Sequence, residues 1–346
     1  MSELASEPTS ACRQIAERMV APGKGVLAAD ESIATMSARL EKAGVEATAE
    51  NRRRYRELLS ATPGLADGVS GIIFCDETLR QTFADGTPFA TAVHALGILP
   101  GIKVDAGAKP LPGGLERETI TEGLDGLPAR LAEYAGIGAA FAKWRAVYVI
   151  SDATPSAGAV RANANALARY AAACQAAGIV PIVEPEVLMD GAHGIDQCAE
   201  VTEWVLKEVF QELYYNRVTL EQTVLKPNMV IAGKKSPKQA SREEVAEKTV
   251  KVLKRCVPAA VPGIAFLSGG QSDEDATAHL QLMNAMGKLP WNLTFSYGRA
   301  LQAAALKSWA GKKENETAGS KAFSHRAKMN GLAAAGKWAQ GLEKAA

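Results

Sequence analysis

A lysine interrupts an apolar stretch of the chain at Lys226, in the segment VLKPNMV. The proline that follows favours extended backbone at the lysine, so the pattern predicts a lysine held on a β-strand. An amine can attack a ketone only when it is unprotonated, and burial together with a nearby cation such as Lys143 favours that neutral form. The segment therefore predicts a nucleophilic lysine that forms a Schiff base.

Two other apolar segments each carry a pair of like charges two residues apart. Lys143 and Arg145 lie in FAKWRAV, and Glu184 and Glu186 lie in VEPEV. Residues two apart on a strand share a face, so each pair points to one side of a sheet. Charges inside apolar strands are costly unless they are paired or functional. We therefore expect a catalytic site in which Glu184 moves protons while a carbinolamine loses water.

Candidate phosphate ligands follow the last two apolar runs of the chain. Backbone N–H groups combined with a cation are a common means of binding phosphate. Both loops are glycine-rich, and one of them contains an arginine. The segment LSGGQS supplies Ser268, Gly269 and Gly270, and FSYGRA supplies Ser296, Gly298 and Arg299.

Eight short apolar runs recur along the chain, with helical segments between many of them. Such continuous runs are typical of strands buried on both faces of a parallel sheet. Their alternation with helices predicts a (β/α)8 TIM barrel, in which catalytic side chains project from the C-terminal ends of the strands. The runs are GKGVLAADES, SGIIFCDET, PGIKVD, WRAVYVIS, GIVPIVEPEV, TVLKPNMVI, GIAFLSGG and NLTFSYG.

The sequence contains no domain break or internal repeat, so we expect a single barrel domain over residues 1–346. Residues 1–20 are expected to form a helix outside the barrel. The segment 311–320 is polar and is expected to form a loop, followed by an Ala-rich helical tail to residue 346. The basic segment 232–244 is expected to be mobile at the barrel mouth, either as a lid or as a solvated loop.

Composition excludes several classes of function. A net charge of +1 supplies no overall field for nucleic acid or an anionic membrane, and no apolar stretch reaches the roughly 20 residues of a membrane span. The N-terminal residues lack the apolar core of a signal peptide. Four dispersed histidines disfavour a metal site, and five scattered cysteines without a CxxC pair indicate reduced thiols in the cytoplasm.

Ten segments match a known family in order, across about residues 20–310. The chain resembles the class I fructose-bisphosphate aldolases, which use a Schiff base and need neither metal nor cofactor. The resemblance implies reversible cleavage of fructose 1,6-bisphosphate to dihydroxyacetone phosphate and glyceraldehyde 3-phosphate, in a cytoplasmic homotetramer. The segments are KGVLAADES, ENRRRYRELL, FCDETL, GIKVD, FAKWRAV, VEPEVL, DGAH, LKPNMV, FLSGGQS and FSYGRALQ.

The resemblance also implies roles for individual residues. Lys226 takes the Schiff-base position, and Glu184 takes that of the general acid and base, with Glu186 beside it. Asp30 takes the position that accepts the C4-hydroxyl proton, and Lys143 that of a supporting cation. The ketose C1-phosphate matches Ser268, Gly269, Gly270, Ser296 and Arg299, with Gly298 in the same loop. The other phosphate matches Arg39, Lys103, Arg145, Arg52 and Thr35.

The chain departs from the family pattern in two places. After ADES, many relatives have Thr-Gly-Ser, whereas this chain has Ile33, Ala34 and Thr35, of which Thr35 keeps a hydroxyl. Animal members end in a tyrosine that helps to exchange the proton on the enamine carbon, whereas this chain ends in GLEKAA. We expect either another group to move that proton, or a different balance between bisphosphate and monophosphate substrates.

Two alternatives to fructose 1,6-bisphosphate cleavage remain open from the sequence. A Schiff-base aldolase of this kind could prefer fructose 1-phosphate or sedoheptulose 1,7-bisphosphate. A non-catalytic scaffold on the same fold is the third possibility, since a fold alone does not fix function. A scaffold is expected to lack Lys226, Glu184 or Asp30, and all three are present.

Overall fold

Eight parallel strands close into a barrel in this computed structural model, which describes residues 7–344. Around the barrel the strand order is β1, β10, β9, β8, β7, β6, β3, β2. The predicted (β/α)8 TIM barrel is confirmed, and each of the eight apolar runs overlaps one barrel strand. The strands are β1 (Gly25–Ala29), β2 (Val69–Phe74), β3 (Leu99–Lys103), β4 (Ala108–Pro110), β5 (Thr119–Thr121), β6 (Phe141–Tyr148), β7 (Val180–Val187), β8 (Val224–Leu225), β9 (Gly263–Phe266) and β10 (Asn292–Tyr297).

Helices connect the barrel strands and cover their outer faces. In the described part of the chain, no helix is both long and apolar enough to cross a membrane. Short 3-10 turns lie at Leu220–Gln222, Lys313–Asn315 and Gln340–Lys344. The helices are α1 (Glu7–Met19), α2 (Ile33–Lys42), α3 (Ala49–Ser60), α4 (Leu65–Gly68), α5 (Asp76–Leu79), α6 (Phe89–Ala95), α7 (Leu127–Ile137), α8 (Ala157–Ala176), α9 (Ile195–Tyr215), α10 (Arg242–Cys256), α11 (Asp273–Ala285), α12 (Arg299–Trp309) and α13 (Glu316–Ala334).

Serine residues fix the start of several helices on the barrel exterior. The hydroxyls of Ser156, Ser241 and Ser272 each accept a hydrogen bond from the backbone N–H three residues on, at α8, α10 and α11. Such caps satisfy one of the N–H groups that a helix leaves unpaired at its first turn. Each cap also ends the loop that follows a barrel strand.

A two-stranded hairpin, β4 with β5, lies between β3 and β6 and was not predicted from the sequence. Its strands have three residues each, β4 exposed and β5 partly buried, so they lack the long apolar run of the barrel strands. Behind the hairpin, the buried carboxylate of Glu118 accepts hydrogen bonds from the backbone N–H and hydroxyl of Ser156. The hairpin is thereby joined to the start of α8.

The N-terminal end of the barrel is filled by apolar side chains. The ring of Phe141 occupies the interior, close to the backbone of Gly71 and Gly101 on the neighbouring strands. Buried side chains of α1, including Ala16 and Met19, belong to the same apolar cluster and close this end of the barrel. Residues 1–6 of the expected N-terminal helix lie outside the described residues. The apolar end leaves only the opposite mouth for polar chemistry.

The expected polar loop over residues 311–320 is wrong in its second half. Helix α13 begins at Glu316, because small residues among the polar ones allow close packing. Gly319 lies against the side chains of Trp309 and Leu58, where a larger residue has no space. The helix could not be predicted from the polar composition, because its packing depends on the small size of Gly319 rather than on apolar side chains.

Replacing Gly101 by alanine is expected to lower the free energy of unfolding by roughly 1–3 kcal/mol, because a core that is already filled must shift. A Cβ there lies 2.3 Å from the Phe141 ring. Urea denaturation measures the change. Gly136→Ala in α7 is the matched control, since a Cβ there meets no atom within 4 Å. It is expected to leave stability unchanged or slightly raised. Equal stabilities for the two variants would contradict this packing account.

Candidate functional site

Four charged side chains come together at the C-terminal mouth of the barrel. Asp30 directly follows β1, Lys143 lies on β6, Glu184 on β7, and Lys226 directly follows β8. The backbone N–H of Lys226 donates to the carbonyl of Val183 at 2.8 Å, which continues the pairing with β7. The four residues are between 3% and 9% exposed. The barrel therefore holds them in one pocket with little water.

The carboxylate of Glu184 lies between the two lysines. Its Oε1 is 3.3 Å from Lys226 Nζ, and its Oε2 is 3.2 Å from Lys143 Nζ. Lys143 Nζ is also 2.7 Å from Asp30 Oδ2. The four groups thus form one chain of ion pairs, in the order Lys226, Glu184, Lys143, Asp30. Two cations balance two anions, which offsets the cost of removing each charge from water.

The ion pairs hold Asp30 and Lys143 in their charged forms. Burial alone would raise the pKa of Asp30, but the nearby ammonium groups of Lys143, Lys226 and Lys103 together lower it well below its usual value. Burial likewise opposes the charge on Lys143, and the carboxylates of Asp30 and Glu184 raise its pKa well above the usual value. Asp30 is therefore a carboxylate, and Lys143 an ammonium, across the physiological pH range.

A second group of ion pairs borders the first. Arg145 Nε donates to Glu186 Oε2 at 2.5 Å, and the Glu186 side chain is buried. Lys103 Nζ donates to Asp105, to the carboxylate at 2.5 Å and to the carbonyl at 2.9 Å. The other carboxylate oxygen of Asp105 accepts from the backbone N–H of Arg145 at 3.2 Å. Arg145 and Lys103 thereby border the same mouth as Lys143. For Arg145, the two-residue spacing from Lys143 predicted this position.

The loop after β9 lies against the β7 side of the mouth. At Gly269, a Cβ would lie 2.7 Å from the end of the Met189 side chain and 3.1 Å from Glu186 Oε1. Gly270 has φ +79°, a conformation that favours glycine. Gly269 therefore allows the backbone after Ser268 to approach the Glu186 carboxylate closely.

The end of β10 contributes a hydroxyl, and the residue after the strand leads into a helix terminus. Ser296 is buried, and its Oγ has no hydrogen-bond partner among the described residues. Helix α12 begins at Arg299, directly after Gly298, and the Arg299 side chain is exposed. A buried hydroxyl without a partner is costly, so this position favours a ligand with acceptor oxygens.

The residues assigned by resemblance to the other phosphate are spread around the β1 side of the mouth. Arg39 on α2 pairs with Glu31, and Thr35 on the same helix contacts the Ser32 hydroxyl at 3.0 Å. Arg52 on α3 is buried and donates two hydrogen bonds to Glu77, at 2.6 and 2.9 Å. A phosphate would compete with a carboxylate for either arginine.

Sequence reasoning missed a buried network behind Asp30. Gln302 Nε2 donates to the carbonyl of Ala28 at 2.7 Å and to Glu31 Oε1 at 2.9 Å. Arg56 donates to the carbonyls of Ala29 and Glu31, at 3.0 and 2.9 Å. These bonds fix the end of β1 and hence the backbone that carries Asp30. The sequence offered one indication of this network, because Glu31, Arg56 and Gln302 lie inside segments that match the family.

The segment 232–244 is tied to the barrel over its first residues. The backbone N–H groups of Gly233, Lys234 and Lys235 donate to the carbonyls of His193, Met189 and Gly191, at 2.8 to 3.0 Å. Its last residues form the first turn of α10, which begins at Arg242. Any movement as a lid, which stays a prediction, is thereby confined to about residues 236–241.

Between residues 7 and 344, no group of three or more His, Cys, Asp or Glu side chains is arranged to hold a metal ion.

The comparisons with known proteins all match fructose-bisphosphate aldolases. A family model described as fructose-bisphosphate aldolase class-I matches residues 11–346. A probable fructose-bisphosphate aldolase class 1 of Xanthomonas axonopodis pv. citri is 57% identical over 94% of this chain and 97% of the relative.

Two further comparisons extend across the whole barrel. Fructose-bisphosphate aldolase C of Rattus norvegicus is 53% identical over 97% of this chain and 93% of the relative. Among solved structures, the fructose-bisphosphate aldolase of Plasmodium falciparum, in complex with TRAP and a small-molecule inhibitor, superposes with a TM-score of 0.95. It is 46% identical, and the match covers 98% of each chain.

Replacing Lys143 by methionine is expected to raise the pKa of Asp30, because burial then acts against less positive charge. Carbon-13 NMR titration of the aspartate carboxyl carbons measures this shift. Lys103→Met is the matched control and is expected to raise the pKa of Asp30 less, since Lys103 contributes least of the three lysines. An Asp30 titration unaffected by the loss of Lys143 would contradict the chain of ion pairs.

Proposed function

The chain belongs to the class I fructose-bisphosphate aldolase family, which is metal-independent and acts on a phosphorylated sugar, and we propose that Lys226 is its Schiff-base residue. As an aldolase of this class, it cleaves fructose 1,6-bisphosphate reversibly to dihydroxyacetone phosphate and glyceraldehyde 3-phosphate. One observation carries the assignment to Lys226. Among the described residues, its buried amino group forms an ion pair with Glu184 alone, which can exchange protons with it, whereas Lys143 also pairs with Asp30 at 2.7 Å.

Schiff-base formation needs a base and then an acid at the same atom. Glu184 first accepts a proton from Lys226 Nζ, and the neutral amine then attacks the ketose C2 carbon. The C–N bond forms as the C=O π pair moves onto oxygen, and that oxygen takes the proton from Glu184 to become the hydroxyl of a carbinolamine. Glu184 takes a proton from the nitrogen and returns one to the departing hydroxyl, so that water leaves and the iminium forms. A single carboxylate can serve both steps because its Oε1 lies 3.3 Å from Lys226 Nζ. Glu186, paired with Arg145, borders this carboxylate.

Carbon–carbon cleavage follows when the C4 hydroxyl loses its proton to Asp30. The electron pair of the C3–C4 bond moves into the iminium, which leaves an enamine on Lys226 and releases an aldehyde. A carboxylate with a depressed pKa is a weak base, so the transfer needs help. Lys143, 2.7 Å from Asp30, supplies it by stabilising negative charge that develops on the C4 oxygen.

Two phosphate sites at the mouth would fix the sugar. The C1-phosphate binds to the backbone N–H groups of the loop Ser268–Gly269–Gly270, with Arg299 as the cation. Ser296 adds the hydroxyl that has no partner in the described structure, and Gly298 leads into α12. The other phosphate binds among the basic residues of the β1 and β6 sides and the Thr35 hydroxyl. These basic residues are Arg39, Lys103, Arg145 and Arg52.

Assembly as a homotetramer and a cytoplasmic location form part of the same proposal, and both rest on the family resemblance. None of the comparisons supports fructose 1-phosphate or sedoheptulose 1,7-bisphosphate as the preferred substrate. The pocket favours a bisphosphate, because cations lie on both sides of the catalytic lysine. Arg299 is on the β10 side, and Lys103 on the β3 side.

Borohydride reduction in the presence of dihydroxyacetone phosphate is expected to attach the three-carbon phosphate to Lys226, and peptide mass mapping identifies the modified lysine. Lys226→Met is expected to abolish both the adduct and aldol cleavage. Lys143→Met is the matched control, since it also removes a buried ammonium group but leaves the proposed nucleophile. An adduct on Lys143, or an unmodified Lys226 in active enzyme, would overturn the assignment.

Replacing Asp30 by asparagine is expected to separate the two halves of the reaction. Cleavage of fructose 1,6-bisphosphate should fall by roughly 10²–10⁴-fold, the usual contribution of a general base. Borohydride trapping of dihydroxyacetone phosphate on Lys226 should persist, because this step does not use the C4 hydroxyl. Steady-state kinetics and trapping on the same preparation measure both. Loss of trapping equal to the loss of cleavage would show that Asp30 is not specific to the cleavage step.

A further inference from the structure

Gln271 directly follows the proposed phosphate-binding glycines and closes their loop. Its backbone N–H donates to the carbonyl of Ser268 at 3.3 Å, which makes a turn around Gly269 and Gly270. Its side-chain Oε1 lies 2.7 Å from Nδ1 of His279 on α11. Its Nε2 is buried and has no hydrogen-bond partner among residues 7–344. The contact with His279 thus joins the loop to the body of the helix behind it.

His279 is a fixed partner for this contact. The residue is 6% exposed and lies in the second turn of α11. Burial lowers its pKa to about 4, with Asp275 and Glu243 opposing the shift and Arg242 adding to it. The imidazole is therefore neutral near neutral pH and carries one ring proton. The tautomer that carries this proton on Nδ1 donates it to Gln271 Oε1 across the 2.7 Å contact.

The loop needs this hydrogen bond because its two glycines provide few other contacts that could fix its conformation. Gly269 and Gly270 have no side chains with which to pack, and their backbone has wide conformational freedom. Met189 approaches both glycines from the β7 side, and Ile231 approaches Gly270 from the segment after β8. A phosphate-binding loop works best when its N–H groups already point at the ligand, because ordering them on binding would weaken affinity.

We propose that His279 is a positioning residue for the phosphate-binding loop, acting through the hydrogen bond from its Nδ1 to Gln271. The proposal rests on the proposed function of Ser268, Gly269 and Gly270 as the C1-phosphate site. His279 touches neither substrate nor reacting atoms. It holds Gln271, and Gln271 holds the turn that presents the two glycine N–H groups.

The test compares variants of the full-length enzyme in binding dihydroxyacetone phosphate, whose single phosphate reports on the C1 site alone. His279→Leu removes the donor and is expected to weaken this binding roughly three- to tenfold, the usual effect of losing one buried hydrogen bond. The KM for fructose 1,6-bisphosphate should rise in parallel, with kcat within about twofold, because the Lys226 site is untouched.

The matched variant is His279→Asn, whose amide nitrogen can donate from nearly the same position as Nδ1. It is expected to bind dihydroxyacetone phosphate within about twofold of the unmodified enzyme. Gln271→Leu breaks the same bond from the loop side, which keeps the test decisive if His279→Leu does not fold. The double Leu variant should be no weaker than the worse single variant, because both remove one interaction.

Arg299→Ala separates failure of this inference from failure of the phosphate site itself. If Arg299→Ala weakens binding and His279→Leu does not, the phosphate site stands and the positioning role is wrong. If His279→Asn binds as weakly as His279→Leu, the hydrogen bond is not what matters, and the inference is likewise wrong. Normal binding in Arg299→Ala overturns the phosphate site and the positioning role together.

Discussion

The carboxylate of Glu184 is held between two buried lysines, and the arrangement of the barrel mouth depends on this contact. Burying an isolated ion costs roughly several kcal/mol of desolvation free energy, even after the protein relaxes. Here each cation has a carboxylate within 3.3 Å, and each carboxylate has a cation. The same alternation leaves Glu184 beside the proposed nucleophile and Lys143 beside Asp30. The arrangement that makes the charges tolerable is therefore also the one that suits proton transfer.

A parallel barrel can support such a chain because its strands differ in polarity from one end to the other. The N-terminal half is filled by apolar groups such as Phe141, and α1 closes that end. Strands β6 and β7 extend into the mouth with alternating residues inward, so Lys143 and Glu184 project from rigid backbone rather than from loops. The loops add the more adjustable parts: the glycines after β9 and the arginine that begins α12.

Much of this arrangement could be predicted from the sequence, because its signals are local. A charge inside an apolar strand, as at Lys226 or Glu184, identifies both the strand and the inward face. What could not be predicted depends on contacts between distant segments. Gln302 donates to the carbonyl of Ala28 at the end of β1, 274 positions away in the sequence. Gly319 allows close packing because it has no side chain, and such a contact leaves no apolar pattern in the sequence. The hairpin of β4 and β5 has strands too short to give a long apolar run.

The central claim is that one lysine of the buried pair is the nucleophile while the other serves the cleavage step. A crystal structure of the borohydride-reduced enzyme with dihydroxyacetone phosphate tests it most directly. We expect continuous density from Lys226 Nζ to the C2 carbon, with the phosphate between the Gly269–Gly270 loop and Arg299, and with Lys143 still bound to Asp30. Density joined to Lys143, or a phosphate bound away from both the Gly269–Gly270 loop and Arg299, would contradict the account.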